Sequence, residues 1–195
     1  MSVAATAILF AAAITPGPNN FVVMDVAGRD RPTAVAATIG GIVAGTLALV
    51  VGLWFGLDAL LARWPAGDIV LRLAGFGLLV YLALRTVLAG WSDDAASQAS
   101  SRRQGHLFPV MLLLQLVNPK TWVLAMAVVA VHGDAPLPTL LSLVVTVPTA
   151  CLLIWAAAGR ALASVLARPK VRKVFAAVMG SALLAFAIVV LTRDE

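Results

Sequence analysis

The chain has little of what soluble domains and enzymes are built from. Only 12% of its 195 residues are charged, aromatics make up 7%, and there are two histidines and one cysteine. A single cysteine, Cys151, excludes a disulfide framework and thiol-relay chemistry, which both need pairs. Lying inside an apolar run, it reads as packing. Paired acids and paired histidines are missing from the apolar runs as well. That removes the nucleophile–base pairs and metal-ligand sets an intramembrane enzyme requires, so no enzyme, no cofactor and no metal are expected. His106 and His132, at the edges of apolar runs, read as solvated residues. The first basic residue is Arg29, so no cleavable signal peptide is expected.

What the chain has in abundance is apolar sequence, 62% of its residues, with a mean hydropathy of +1.00. Soluble domains do not carry this composition, so the chain reads as an integral membrane protein with the lipid bilayer as its first partner. A net charge of +5 would suggest nucleic acid in a soluble chain. Here the basic residues sit between apolar runs, where they set orientation, and no nucleic-acid partner is read. A span needs about 20 apolar residues. Six runs qualify: Val3 to Ala27, Ala34 to Leu57, Ile69 to Ala89, Leu107 to Val131, Leu137 to Gly159 and Val174 to Thr192. The third holds Arg72 and Arg85 near its ends, where their stems can reach the headgroups. Trp64 and Trp91 flank it at interface depth. Basic residues divide ten against three between the two sides: Arg29, Arg102, Arg103, Arg168 and Lys170 are among the ten, and Arg63, Arg72 and Arg193 are the three. The richer side is cytoplasmic, which puts both termini in the periplasm.

Two of the runs contain sequence that a helix interior does not tolerate. In the first, Thr15-Pro16-Gly17-Pro18-Asn19-Asn20 brings together two prolines, a glycine and two amides, where a simple kink needs one proline. Each proline lacks an N–H and clashes with the preceding turn, so the carbonyls of Ala12 and Ile14 lose their helical partners. In hydrocarbon such groups must be buried in protein or face a wet cavity. In the fourth run Asn118-Pro119-Lys120 does the same and frees the Gln115 carbonyl. Each break falls about a dozen residues into its run, roughly 18 Å along a helix and near the bilayer midplane. Thr15 and Asn118 each precede a proline, the order favoured at an N-cap and first helical position. Each span then becomes two half-helices, with N–H groups that favour an anion and carbonyls that favour an ammonium group. Together they make a seat for a zwitterion.

A lysine at mid-span costs roughly 2.5 to 3.5 kcal/mol on insertion scales and faces a partner or a cavity. Lys120 reads either as the counter-charge for a substrate carboxylate or as a group paired with a protein carboxylate or snorkelling to the headgroups. Asp25, about 10 Å beyond the first break towards the cytoplasm, reads either as a proton carrier or as a helix end near Arg29. Gly41 and Gly45 mark a close helix contact. Pro148 kinks the fifth run, where Thr146 and Thr149 either re-satisfy the backbone or touch substrate. Trp54, Trp122 and Trp155 read as packing.

The offset from Pro16 to Pro119 is 103 residues, and that from Gly75 to Gly180 is 105. Paired broken helices at a common offset, in halves of three spans each, suggest an inverted repeat of the kind found in secondary transporters. The fold expected is thus all-α and polytopic. Six transmembrane helices form two inverted three-helix repeats, with helices one and four broken. The chain is one membrane domain, residues 1–195, with repeat one about 1–91, a polar linker about 92–106, and repeat two about 107–195.

These residues resemble the LysE/RhtB amino-acid exporters. The resemblance rests on Thr15 to Asn20, Gly28-Arg29, Gly41 and Gly45, Asn118-Pro119-Lys120 and Gly180, and covers nearly the whole chain. It implies efflux of amino acids or related small metabolites across the bacterial inner membrane, driven by the proton gradient. The substrate site expected at the two breaks is Thr15, Pro16, Gly17, Pro18, Asn19, Asn20, Asn118, Pro119 and Lys120, with Asp25 as a coupling-ion candidate. The chain departs from the family pattern at Thr46, where many members carry an acid, and in the fifth span, where Thr146 and Thr149 stand instead of one. The same fold carrying a metal ion or a non-amino-acid metabolite, and a non-transporting assembly subunit, stay open as alternatives. A homo-oligomer is compatible with the sequence.

Overall fold

The computed structural model describes residues 3–29, 32–57, 59, 63, 65–91, 100–132 and 136–192. Among them every regular element is a helix: α1 (Val3–Ile14), α2 (Pro18–Arg29), α3 (Pro32–Trp54), α4 (Pro65–Trp91), α5 (Ser100–Val117), α6 (Pro119–His132), α7 (Leu137–Leu166) and α8 (Pro169–Thr192). Five of them begin on a proline, whose missing N–H is harmless at the first helical position. After α3 the chain turns at Gly56, at φ 87°, a left-handed conformation that glycine adopts without strain.

α3, Leu137–Val165 of α7 and Pro169–Ile188 of α8 are each long and apolar enough to cross a membrane. α5 and α6, bent by 70° at Asn118, make a fourth if they form one span. α1 and α2 have 12 residues each, too short to cross alone. The exposed faces are apolar: Val174 of α8 is 64% exposed, Leu84 of α4 55% and Leu153 of α7 54%, as lipid-facing positions should be. The chain is a multi-pass membrane protein.

The most extensive packing joins α4 to α8, α3 to α5, and α2 to α7. A Cβ on Gly45 would lie 2.5 Å from the Leu112 carbonyl oxygen, and one on Gly41 would meet the Phe108 carbonyl, so these glycines bring α3 against α5 as expected. Gly75 and Gly180, which share the repeat offset, do different jobs. Gly75 lies against the Val117 carbonyl at the end of α5, and Gly180 against Val87 of α4.

Buried apolar residues form two clusters. One is built around Val23, Ile39, Ile42, Leu79, Leu114 and Leu152, the other around Leu9, Leu49, Ala125, Leu140 and Val144. α3, α7 and the two broken chains α1–α2 and α5–α6 each contribute to both clusters. The stretch where each chain passes from one to the other holds its polar or proline residues: Asn19 and Asn20, Thr46, Asn118, and Pro148.

One boundary differs from the sequence reading. The polar segment read as a linker to His106 is helical from Ser100 onward, continuous with the apolar part of α5. Polarity says where a segment sits relative to the bilayer, and residues such as Arg102, Arg103 and Gln104 are good helix formers. His106 is exposed, as a solvated residue should be. Trp64, residues 92–99 and the side chains of Arg72, Arg85 and His132 lie outside the described residues.

Candidate functional site

The two breaks meet. α1 ends where the Thr15 N–H bonds the Ala11 carbonyl at 3.2 Å, and the Thr15 hydroxyl donates to the same carbonyl. Thr15 therefore closes α1 instead of capping α2, which corrects the N-cap expected of it. The Thr15 hydroxyl has a nearer acceptor one turn back than any N–H ahead of it. α2 starts at Pro18, with the Gly17 carbonyl accepting the Phe21 N–H at 3.1 Å. Asn118 behaves as expected: its side-chain oxygen accepts the Lys120 N–H at 3.1 Å, and its carbonyl accepts the N–H groups of Thr121 and Trp122.

Of the carbonyls freed by the prolines, those of Ile14 and Gln115 are not left open. The Asn20 amide donates to the carbonyls of Ala13 (3.1 Å), Ile14 (3.4 Å) and Thr15 (2.8 Å). The Trp155 indole donates to Ile14 at 3.1 Å, while its ring meets Phe21 edge to face at 6.0 Å. Trp122 donates to Leu116 at 2.7 Å, and the Gln115 carbonyl receives the Asn118 N–H at 3.4 Å. Trp155 and Trp122 are thus hydrogen-bonding supports of the breaks, which the packing reading did not anticipate. Trp54 does pack, against the second cluster. Thr146 re-satisfies its own helix, donating to Ser142 at 2.8 Å.

Asn19 and Gln115 tie one break to the other. Their amides exchange hydrogen bonds at 2.8 and 3.1 Å, Asn118 donates to Asn19 at 3.3 Å, and Thr121 donates to Gln115 at 2.8 Å. Lys120 crosses the same gap. Its ammonium donates to the Thr15 carbonyl and lies 3.5 Å from that of Pro16. Gly17 makes room for it: a Cβ there would come within 3.0 Å of the Lys120 side chain. Lys120 therefore rests on the carbonyl end of α1. Among the described residues no carboxylate partners it. Asp25 lies two turns along α2 in a 2.5 Å ion pair with Arg29.

A cavity of about 40 Å³ opens at this junction. Its lining mixes polar residues, Asn19, Asn20, Thr46, Asn118, Lys120 and Thr121, with Ala13, Gly17, Ile42, Leu124, Pro148 and Leu152. That is room for roughly three waters. Sequence reasoning missed Ile42, Leu124 and Leu152, since an apolar residue in an apolar run carries no mark of which face it presents, and it passed over Thr121, a polar side chain beside the break. Gln115 and Thr46 were findable as polar side chains inside apolar runs. No group of three His, Cys, Asp or Glu that could hold a metal occurs among the described residues.

The chain matches the family model described as LysE type translocator over residues 10–194, nearly its whole length. It belongs to the LysE translocator family. No solved structure matches it. As a LysE translocator it is a membrane transporter, and the junction between its broken helices is the polar feature that distinguishes its interior.

Proposed function

We propose that this LysE translocator exports amino acids or related small zwitterionic metabolites across the bacterial inner membrane, coupled to the proton gradient, from the cavity between its broken helices. The observation that carries the reading is the seat of the Lys120 ammonium. Carbonyls at the end of α1 already hold a primary ammonium group beside a cavity, so they suit the ammonium of an amino acid. The first turn of α2, which begins next to that seat, has N–H groups without intrahelical acceptors by helix geometry and favours the carboxylate. Asn118 already caps the corresponding end of α6, so α2 is the better anion end.

The topology proposed is six spans in two inverted repeats, with α1–α2 and α5–α6 as the broken pair and both termini periplasmic. The packing supports it. Exchanging the first three spans for the last three turns the α3–α5 contact into the α7–α1/α2 contact and maps α4–α8 onto itself, so the most extensive pairings are preserved. Counterflow in vesicles holding only this protein tests the function: labelled amino acid should accumulate against an internal unlabelled pool. Vesicles that exchange no amino acid would remove the reading.

A further inference from the structure

Proton coupling requires a group that binds a proton in one state and substrate in the other, and the cavity offers few. α1, α3 and the break between α1 and α2 carry no titratable side chain. On α2, Asp25 is engaged with Arg29 two turns from the cavity, and neither lines it. On α7 the buried Cys151 thiol is the titratable group near Lys120, and it lies 3.9 Å from the Phe10 carbonyl. Arg160 is more than two turns further along α7, and the basic residues of α5 lie at its far end. Among the described residues Lys120 is the one titratable side chain lining the cavity.

The place it occupies matters as much as its identity. Its ammonium sits on the Thr15 and Pro16 carbonyls, the same seat a substrate ammonium would use, and its stem crosses in front of Gly17. With that seat filled, the two carbonyls are not free to take a substrate ammonium. Two cations cannot share a pair of carbonyls without like-charge repulsion. A neutral lysine amine, free of the demand for carbonyl acceptors, can turn aside.

We infer that Lys120 is the coupling-proton carrier and that its ammonium and the substrate's ammonium compete for the carbonyls that end α1. The inference rests on the function proposed above and assigns its coupling step. On the cytoplasmic side an N–H bond of the Lys120 ammonium breaks, the proton passes to water, and the nitrogen keeps the electron pair. The substrate ammonium then donates to the vacated carbonyls. On the periplasmic side substrate leaves, the amine takes a proton from water, and the ammonium returns to its seat. The site carries either the proton or the substrate, which is what exchange of one for the other demands. One proton moves per zwitterion, so each cycle moves one net positive charge inward.

The test uses the purified full-length protein in vesicles, with labelled L-threonine, L-leucine and L-lysine as probes, extended to the other protein amino acids if none of these exchanges. The wild type should release a proton to weakly buffered medium on binding the probe that exchanges. Its apparent affinity should weaken about tenfold for each unit the pH falls. Lys120→Gln, which cannot carry the proton, should bind without proton release and with a flat pH profile. Lys120→Arg, which cannot let its proton go, should exchange far less than Lys120→Gln. A counter-charge for the substrate carboxylate predicts the reverse order, arginine above glutamine, and that result overturns the inference while leaving export intact. Exchange without proton release in the wild type overturns it equally, and does not depend on whether either variant folds. If no amino acid exchanges, the function proposed above falls and takes the inference with it.

Discussion

Gln115 shows how little slack the junction has. Its side chain is fully buried, and each of its hydrogen-bonding positions is in use. Nε2 donates to the Met111 carbonyl and to Asn19, while Oε1 accepts from Asn19 and Thr121. A primary amide has two donors and an oxygen with two lone pairs, so nothing is spare. Gln115→Leu keeps the volume but leaves the buried Thr121 hydroxyl and the half-buried Asn19 amide without that partner. A loss of about 1–3 kcal/mol is expected, read as a lowered midpoint of thermal unfolding in detergent. Gln115→Glu should be worse, because a carboxylate would face the Asn19 oxygen that Gln115 now donates to. A midpoint unchanged in Gln115→Leu would mean that the network contributes nothing to the fold. The Asp25–Arg29 pair is the opposite case. Both groups are about a third exposed and one turn apart, so the pair contributes only about 0.3–0.5 kcal/mol.

At the level of the helices, the sequence announced its interruptions and not their inner ends. Proline lacks an N–H whatever surrounds it, so the breaks at residues 15–18 and 118–119 could be read locally. Whether Thr15 would close α1 or open α2 depended on a choice between two neighbouring backbone partners, and sequence order did not carry that choice. The same limit hid the fate of the freed carbonyls: Asn20 and Trp155 reach Ile14 from six residues and from another helix. Close approach of α3 to α5 was legible because two glycines four apart mean little else in an apolar run. Its energetic weight can be measured against an internal control. Gly45→Ala drives a methyl to 2.5 Å from the Leu112 carbonyl and should cost about 1–3 kcal/mol. Gly77, in the middle of α4, would have nothing within 4 Å of an added methyl, so Gly77→Ala should be neutral or stabilise by about 0.5–1 kcal/mol. Thermal unfolding of the two variants side by side checks both signs, and equal effects would show that the α3–α5 contact is looser than the glycines suggest.

The whole molecule is held together by pairs that cross between its halves. α3 with α5, α2 with α7 and α4 with α8 each join a helix before the polar segment to one after it. Inverted repeats can alternate access by rocking as rigid bodies, but here that motion would strain all three of these interfaces together. Buried apolar surface contributes roughly 25 cal/mol per Å², so that motion carries a large penalty that nothing in the junction offsets. Movement of the pairs relative to one another leaves the three largest interfaces closed. It leaves the cavity, which Thr46 of α3 and Pro148 of α7 both line, free to open. A tether within one pair distinguishes the two motions. Gly40 of α3 lies beside Phe108 of α5, where a Cβ would sit 3.5 Å from the ring. With Cys151 replaced by alanine, Gly40→Cys and Phe108→Cys joined by a short bis-thiol reagent should keep most of the counterflow of the unlinked double variant if α3 and α5 travel together. Counterflow that stops on linking and returns when a cleavable linker is cut would mean that this pair separates in each cycle, and that the halves rock after all.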